Sequence, residues 1–165
     1  MDYCVLGVPN PFPLVFDSEE QRMLHIGQGS VVYPWSILYE GSTIGANCRL
    51  FERSMVGSKT TIGDRSQLMY GAQVHDNVFV GTDTVIGGFI ADNTKIGNRC
   101  SVFGSLVHRY VQPDTTKWDE TTETGPTLED EVVIGWGAVI VGPVTIGRGA
   151  RIKPNCVVTS DVPAR

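Results

Sequence analysis

The sequence predicts an all-β fold, a three-sided coil of short parallel strands, on three observations. First, the apolar residues keep a period of six: from Ile26 every sixth residue is aliphatic, through Val32, Leu38, Ile44, Leu50, Val56, Ile62, Leu68, Val74, Val80 and Ile86. Ile, Val and Leu supply 40 of the 165 residues. At that frequency such a run arises by chance about once in a million, so the period is a structural signal. Second, the pairs Ile26-Gly27, Ile44-Gly45, Ile62-Gly63 and Val80-Gly81 recur every 18 residues, so three hexads complete one turn. Third, Gly, Asn and Asp recur in IGAN, VGSK, IGDR, VGTD and IGNR, the residue types that turn corners. A helix is excluded, because 3.6 residues per turn would carry a six-residue repeat round every side. Strand, corner, strand satisfies the period, and stacked coils then pair as parallel strands about 4.8 Å apart.

The elements follow in order. Residues 1–25 lie outside the phase and are expected to form an N-terminal cap. VLGVPNPFPLVF is apolar and broken by proline, and DSEEQRML can form one helical turn capped by Asp17 or Ser18. Such a lid would cover the open edge of the first coil. Residues 26–107 form the first run of coils, the phase resuming after a four-residue step at Ile90, Ile96 and Val102. Residues 108–127 form an inserted loop, polar except for aromatics such as Tyr110 and Trp118, and a long excursion in so regular a scaffold points to function. Residues 128–165 resume the coils through Leu128, Ile134, Ile140, Ile146, Ile152 and Val158, all within a single domain.

Composition narrows the function classes. A net charge of −5 with no run of Lys or Arg argues against nucleic acid or an anionic membrane as partner. No apolar stretch approaches the roughly 18 residues of a membrane span, and MDYCVLGVPNPF lacks the basic flank of a signal peptide, so a cytoplasmic protein is expected. Cys4, Cys48, Cys100 and Cys156 have neither metal-site nor disulfide-scaffold spacing.

The runs IGANCR, VGSKTT, IGDRSQ, IGNRCS and VTIGRGARIKPNCVVTSDVP resemble the hexapeptide-repeat acyltransferases, over roughly residues 26–163. That resemblance implies a left-handed parallel β-helix in which the aliphatic and the small positions both face inward, placing Cys48, Cys100 and Cys156 in the core. The order of a histidine, a long polar loop and GPTLEDEVVIGWGAVIVGPVTIG resembles the maltose, galactoside and antibiotic acetyltransferases of that family. It implies transfer of acetyl from acetyl-CoA to a hydroxyl or amino group of a sugar, sugar nucleotide or sugar-like molecule, by a homotrimer with a histidine base, here His108. Where that subgroup typically has a proline soon after the histidine and Glu-Tyr-Gly before the coil resumes, this chain has His108-Arg109-Tyr110 and Glu123-Thr124-Gly125. The resemblance further implies that Gly135, Trp136, Gly137 and Ala138 let the pantetheine arm of CoA approach the backbone. Arg148, Arg151 and Lys153 are then the partners for its phosphates.

His108 also stands out on its own. Counting on from residues 90, 96 and 102 puts it in the next aliphatic slot, and a polar ring in a core slot is a broken local rule of the kind that marks sites. A thioester is already activated, so transfer needs a base with a pKa near operating pH and backbone N–H donors for the oxyanion. A carboxylate or carbonyl should orient the other ring nitrogen, and Asp83, Glu120 and Glu123 are candidates. Tyr110, Trp118 and His75 are expected to line the acceptor cleft, His75 lying two rungs from His108, about 10 Å along the stack. A non-catalytic scaffold is the alternative, in which His108 is structural; replacing a catalytic His108 with Ala should abolish transfer and leave the melting temperature nearly unchanged. A metal protein like the γ-class carbonic anhydrases needs two histidines five residues apart, where this chain has Pro113 and Val80, so no metal is expected.

Overall fold

A computed structural model of the chain describes residues 3–11, 16–109 and 124–165. Within each hexad an outward residue precedes an inward aliphatic one, and that pair forms a short strand because successive strand side chains point to opposite sides. The strands build three parallel sheets of eight, seven and seven, the faces of a triangular prism of about seven coils. Face A runs from Val5–Val8 through Ile37–Tyr39, Met55–Val56, Gln73–Val74, Phe89–Ile90, Ser105–Val107 and Val139–Val141 to Val157–Val158. Face B runs from His25–Ile26 to Thr145–Ile146, and face C from Val31–Val32 to Arg151–Ile152. This is the all-β, parallel β-helix that the sequence predicts.

The inward aliphatics fill the prism: Leu38, Leu50, Ile62, Leu68, Ile86 and Ile140 are all fully buried. The small residues between them are inward too, and their polarity has a use. Thr60 Oγ1 donates to the His75 carbonyl one coil on (2.6 Å) and accepts the Val78 N–H (3.1 Å); Ser66 and Thr84 repeat the pattern. Each of these three hydroxyls thus ties two coils together, giving one hydrogen bond and accepting another. Cys48 and Cys100 lie in the core as expected, whereas Cys156, in the last full coil, is only partly buried.

The corners explain the second period. At the B–C corner consecutive coils touch backbone to backbone: a Cβ on Gly63 would lie 2.6 Å from the carbonyl carbon of Gly81, which is why glycine follows the inward aliphatic at Ile26, Ile44, Ile62, Val80, Ile96 and Ile146, with Glu129 after Leu128 the exception. The αL residue of each corner, such as Asn47, Asn77, Asp83 or Asn93, gives its N–H to the coil before it. That contact, repeated at these corners, offsets the cost of about 1–2 kcal/mol for a left-handed residue with a side chain.

Two findings differ from expectation. The N-terminal segment is more than a lid, because Val5–Val8 pairs in parallel with Ile37–Tyr39 and extends face A; the helical turn Glu19–Arg22 follows, capped by Ser18. The slot after Val102 is filled by Leu106, not His108. The C–A corner is two residues shorter there, as it is after Ile86, and Gly104 lets the chain pass against the Ala138 backbone. Ile90, Leu106 and Ile140 therefore stack in register, and His108 lies two positions further along.

Candidate functional site

His108 belongs to a column on the A–B corner. Two residues beyond the inward aliphatic of each coil stand Glu40, Ser58, Asp76, Asp92 and His108, as the registers of Leu38, Val56, Val74, Ile90 and Leu106 dictate. Each carboxylate caps the coil before it: Asp76 Oδ1 accepts the Ser58 N–H (2.7 Å) and Asp92 Oδ1 accepts the Asp76 N–H (2.7 Å). Asn10, from the N-terminal segment, donates from Nδ2 to Asp76 Oδ2 (2.6 Å) and Ser58 Oγ (3.1 Å), and Arg22 pairs with Glu40 (3.1 Å). Burial pushes the Asp76 carboxyl above its ordinary value, against the lowering effect of the Asn10 hydrogen bond.

The column ends where the regular coil ends. The Asp76 carbonyl accepts the N–H of Asn93, the αL residue one coil on, as the Ser58 carbonyl accepts that of Asn77. For the Asp92 carbonyl the donor is instead the His108 ring, with Nε2 at 2.7 Å. A carbonyl only accepts, so Nε2 carries the proton, and in the neutral ring Nδ1 is the basic nitrogen. His108 is buried, 4% exposed. Gly125, at the return of the chain, packs on this contact: a Cβ there would lie 2.8 Å from the Asp92 oxygen and collide with Thr94 Oγ1. Thr94 is fully buried and its hydroxyl has no hydrogen-bond partner. The residue one coil on is Pro126, which has no N–H to give.

Among the other expected site residues, His75 is half-buried, its ring 4.7 Å from that of Phe89, with Nε2 buried and unpartnered. The strand registers put it two rungs from His108. Asp83 does not reach His108: it stands on the B–C corner in a two-bond pair with Arg65 (2.7 and 2.8 Å), which holds its carboxyl below the usual range. The orienting group is the carbonyl of Asp92, which sequence reasoning missed although Asp76 and Asp92 share a position in the repeat. Tyr110, Trp118, Glu120 and Glu123 lie outside the described residues.

Gly135, Trp136, Gly137 and Ala138 form a C–A corner. Ala138 is fully buried, so its side chain is part of the core rather than a surface for a ligand. Gly135 and Gly137 are accounted for by packing, since a Cβ on either would strike Pro154 or Asn155 of the following coil. Trp136 is 65% exposed and tilts against Phe103 (5.1 Å). Arg148 sits on the B–C corner, 3.4 Å from Asp130, while Arg151 faces out from face C and Lys153 follows it. These three cations string out along one coil instead of converging. Among the described residues no group of three or more His, Cys, Asp or Glu could hold a metal ion, and no helix is long and apolar enough to cross a membrane.

A groove of about 460 Å³ runs along face B beside the column, lined by Lys59, Thr61, Asn77, Phe79, Asn93, Lys95 and Thr124 among others. Sequence reasoning passed over Lys59, Phe79 and Lys95, which are ordinary outward or corner residues of the repeat.

Hexads, three parallel faces and small inward residues define the chain as a hexapeptide-repeat β-helix protein. The family model for the bacterial transferase hexapeptide (six repeats) matches residues 125–160. The bifunctional protein GlmU of Nitrosomonas europaea is 30% identical over 147 residues, covering 86% of this chain and 29% of that protein. A serine acetyltransferase of Bacillus licheniformis is 30% identical over 118 residues, covering 69% of this chain and 52% of that one. The chain thus spans only part of the length of these relatives. Among solved structures, UDP-N-acetylglucosamine acyltransferase from Campylobacter jejuni superposes with a TM-score of 0.58 at 15% identity, covering 98% of this chain and 68% of that one. The chain belongs to the hexapeptide-repeat family, and its fold is that family's left-handed β-helix.

Proposed function

We propose that the protein is a CoA-dependent acyltransferase that moves an acetyl group from acetyl-CoA to a hydroxyl or amino group of a sugar or sugar-like acceptor. The observation that carries this reading is a histidine at the departure of the long loop, held as the Nε2–H tautomer by the Asp92 carbonyl. His108 Nδ1 takes the proton as the acceptor oxygen or nitrogen attacks the thioester carbonyl; the C–S bond breaks, and the imidazolium returns the proton to the departing thiolate. Backbone N–H groups at the corner stabilise the oxyanion. In this reading the exposed ring of Trp136 and the outward Arg151 and Lys153 are the groups left to receive CoA, with three chains forming the clefts. Cytoplasmic residence accords with this chemistry.

A scaffold role is the second reading, favoured by one observation: His108 replaces a missing corner N–H, a purely structural task. Calorimetry with acetyl-CoA, paired with sedimentation, separates the two. Micromolar binding at one site per chain in a trimer is expected; a well-folded trimer that does not bind acetyl-CoA overturns the transferase reading.

A further inference from the structure

We propose that the backbone N–H of Asp92 is the donor that stabilises the oxyanion. The inference rests on the transferase reading and names the group that completes its site. Along the A–B corner a carboxylate one coil on takes the N–H of this column: Asp76 Oδ1 accepts that of Ser58 and Asp92 Oδ1 that of Asp76, both at 2.7 Å. Asp76 turns its carbonyl the same way, toward the N–H of Asn93 in the following coil (3.1 Å). Asp92 holds the same position in the repeat, so its N–H and its carbonyl both face residue 108. A carboxylate at 108 would cap that N–H. The imidazole does not, because Nε2 turns a proton, not a lone pair, toward Asp92 (2.7 Å). No acceptor for the Asp92 N–H is found among the described residues. One histidine in the column thus supplies a base and leaves an unspent backbone donor beside it.

Neighbouring donors are spent or out of reach. The N–H of Asn93 goes to the Asp76 carbonyl (3.1 Å), that of Lys95 to Pro126 (3.1 Å) and that of Gly142 to Val107 (2.8 Å). The Thr94 hydroxyl has no partner either, but Thr94 is fully buried against Gly125, whereas Asp92 is half-buried at the corner. When the acceptor attacks the thioester carbon, its proton passes to His108 Nδ1 and the carbonyl π pair becomes the oxyanion that the Asp92 N–H holds. The pair then reforms the C=O bond, the C–S bond breaks, and the thiolate takes the proton from the imidazolium. A donor fixed in place, with no competing bond to give up, needs no reorganisation at that moment.

The first test needs no acceptor. Acetyl-CoA is titrated into the isotope-labelled full chain, its binding is measured by calorimetry, and amide hydrogen exchange is followed by NMR. The Asp92 amide is expected to exchange about tenfold more slowly in the complex, the worth of one net hydrogen bond, while the Asp76 amide, already bonded, stays as it was. Binding with no change at Asp92 overturns the inference and leaves the transferase reading standing; absence of binding overturns that reading and the inference with it. The second test replaces Asp92 by its α-hydroxy analogue through semisynthesis, which turns one amide into an ester and removes this N–H alone. Thiol release from acetyl-CoA, with water as acceptor, should fall about 10²–10³-fold at an unchanged KM. The melting temperature should stay within about 3 °C of the wild type, since no hydrogen bond is lost in the free protein. The same replacement at Asp76 removes a formed hydrogen bond and should lower the melt instead. An Asp92 ester as fast as the wild type, or one that is slow only because it melts, overturns the proposal.

Discussion

Replacing His108 separates its two tasks, and the structure gives the size of each. In His108→Ala the Asp92 carbonyl loses the ring N–H, and no other donor to it is found among the described residues. Leaving a buried acceptor unpaired costs about 1–3 kcal/mol, and the space left by the ring adds to that. For a chain of this length each kcal/mol moves the melting temperature by about 2–4 °C, so a fall of roughly 2–12 °C is expected at fixed protein concentration. This corrects the expectation, drawn from sequence, that alanine would leave the melt nearly unchanged. His108→Gln places its amide N–H near the position of Nε2, keeps the bond to Asp92 and has no base. It should therefore melt within about 1 kcal/mol of the wild type while losing roughly 10²–10⁴ in transfer rate. The assay is a circular-dichroism melt of both variants beside thiol release from acetyl-CoA. If alanine melts with the wild type, or glutamine melts with alanine, the structural argument is refuted; a fully active glutamine variant removes His108 as base.

Three further outcomes are expected. Gly125→Ala forces the returning chain away from Asp92 and Thr94 and should cost about 1–3 kcal/mol, read as a lowered urea midpoint; an unchanged midpoint would mean the chain returns by another path. Asp76 has a folded-state pKa raised by burial, so its contribution to stability is present below the ordinary carboxylate range and lost as pH rises through the raised value. Asp76→Asn should flatten that part of the midpoint-versus-pH curve, and an unaltered slope would show that another group produces it. Burial also raises the thiol pKa of Cys48 and Cys100, so a disulfide reagent should modify the half-buried Cys4 and Cys156 first in the native protein; early modification of Cys48 would contradict its place in the core.

Much of the fold is legible because one short period repeats. The hexad fixes which side chain faces inward, and the eighteen-residue spacing of Ile-Gly pairs marks the corner where backbones touch, as Gly63 against Gly81 demonstrates. The site was read less well. His108 was singled out by a slot that Leu106 fills, because counting in sixes overlooks the second short corner, although Val102-Phe103-Gly104-Ser105-Leu106 mirrors Ile86-Gly87-Gly88-Phe89-Ile90. Asp83 was a candidate partner for His108 although it stands on a different corner, where Arg65 holds it.

By itself, the sequence determined the β-helix and its inward aliphatic and small residues, since each depends on neighbours within one or two hexads. Only the tertiary structure decided that Asp92 orients His108 from 16 residues away, that Asn10 reaches Asp76 across 66, and that Lys59, Phe79 and Lys95 share a groove. The physical reason is that stacking joins residues one full coil apart, and two short corners and an insertion change the length of that coil. The spacing of partners is therefore set by how the backbone stacks and not by the period of the repeat.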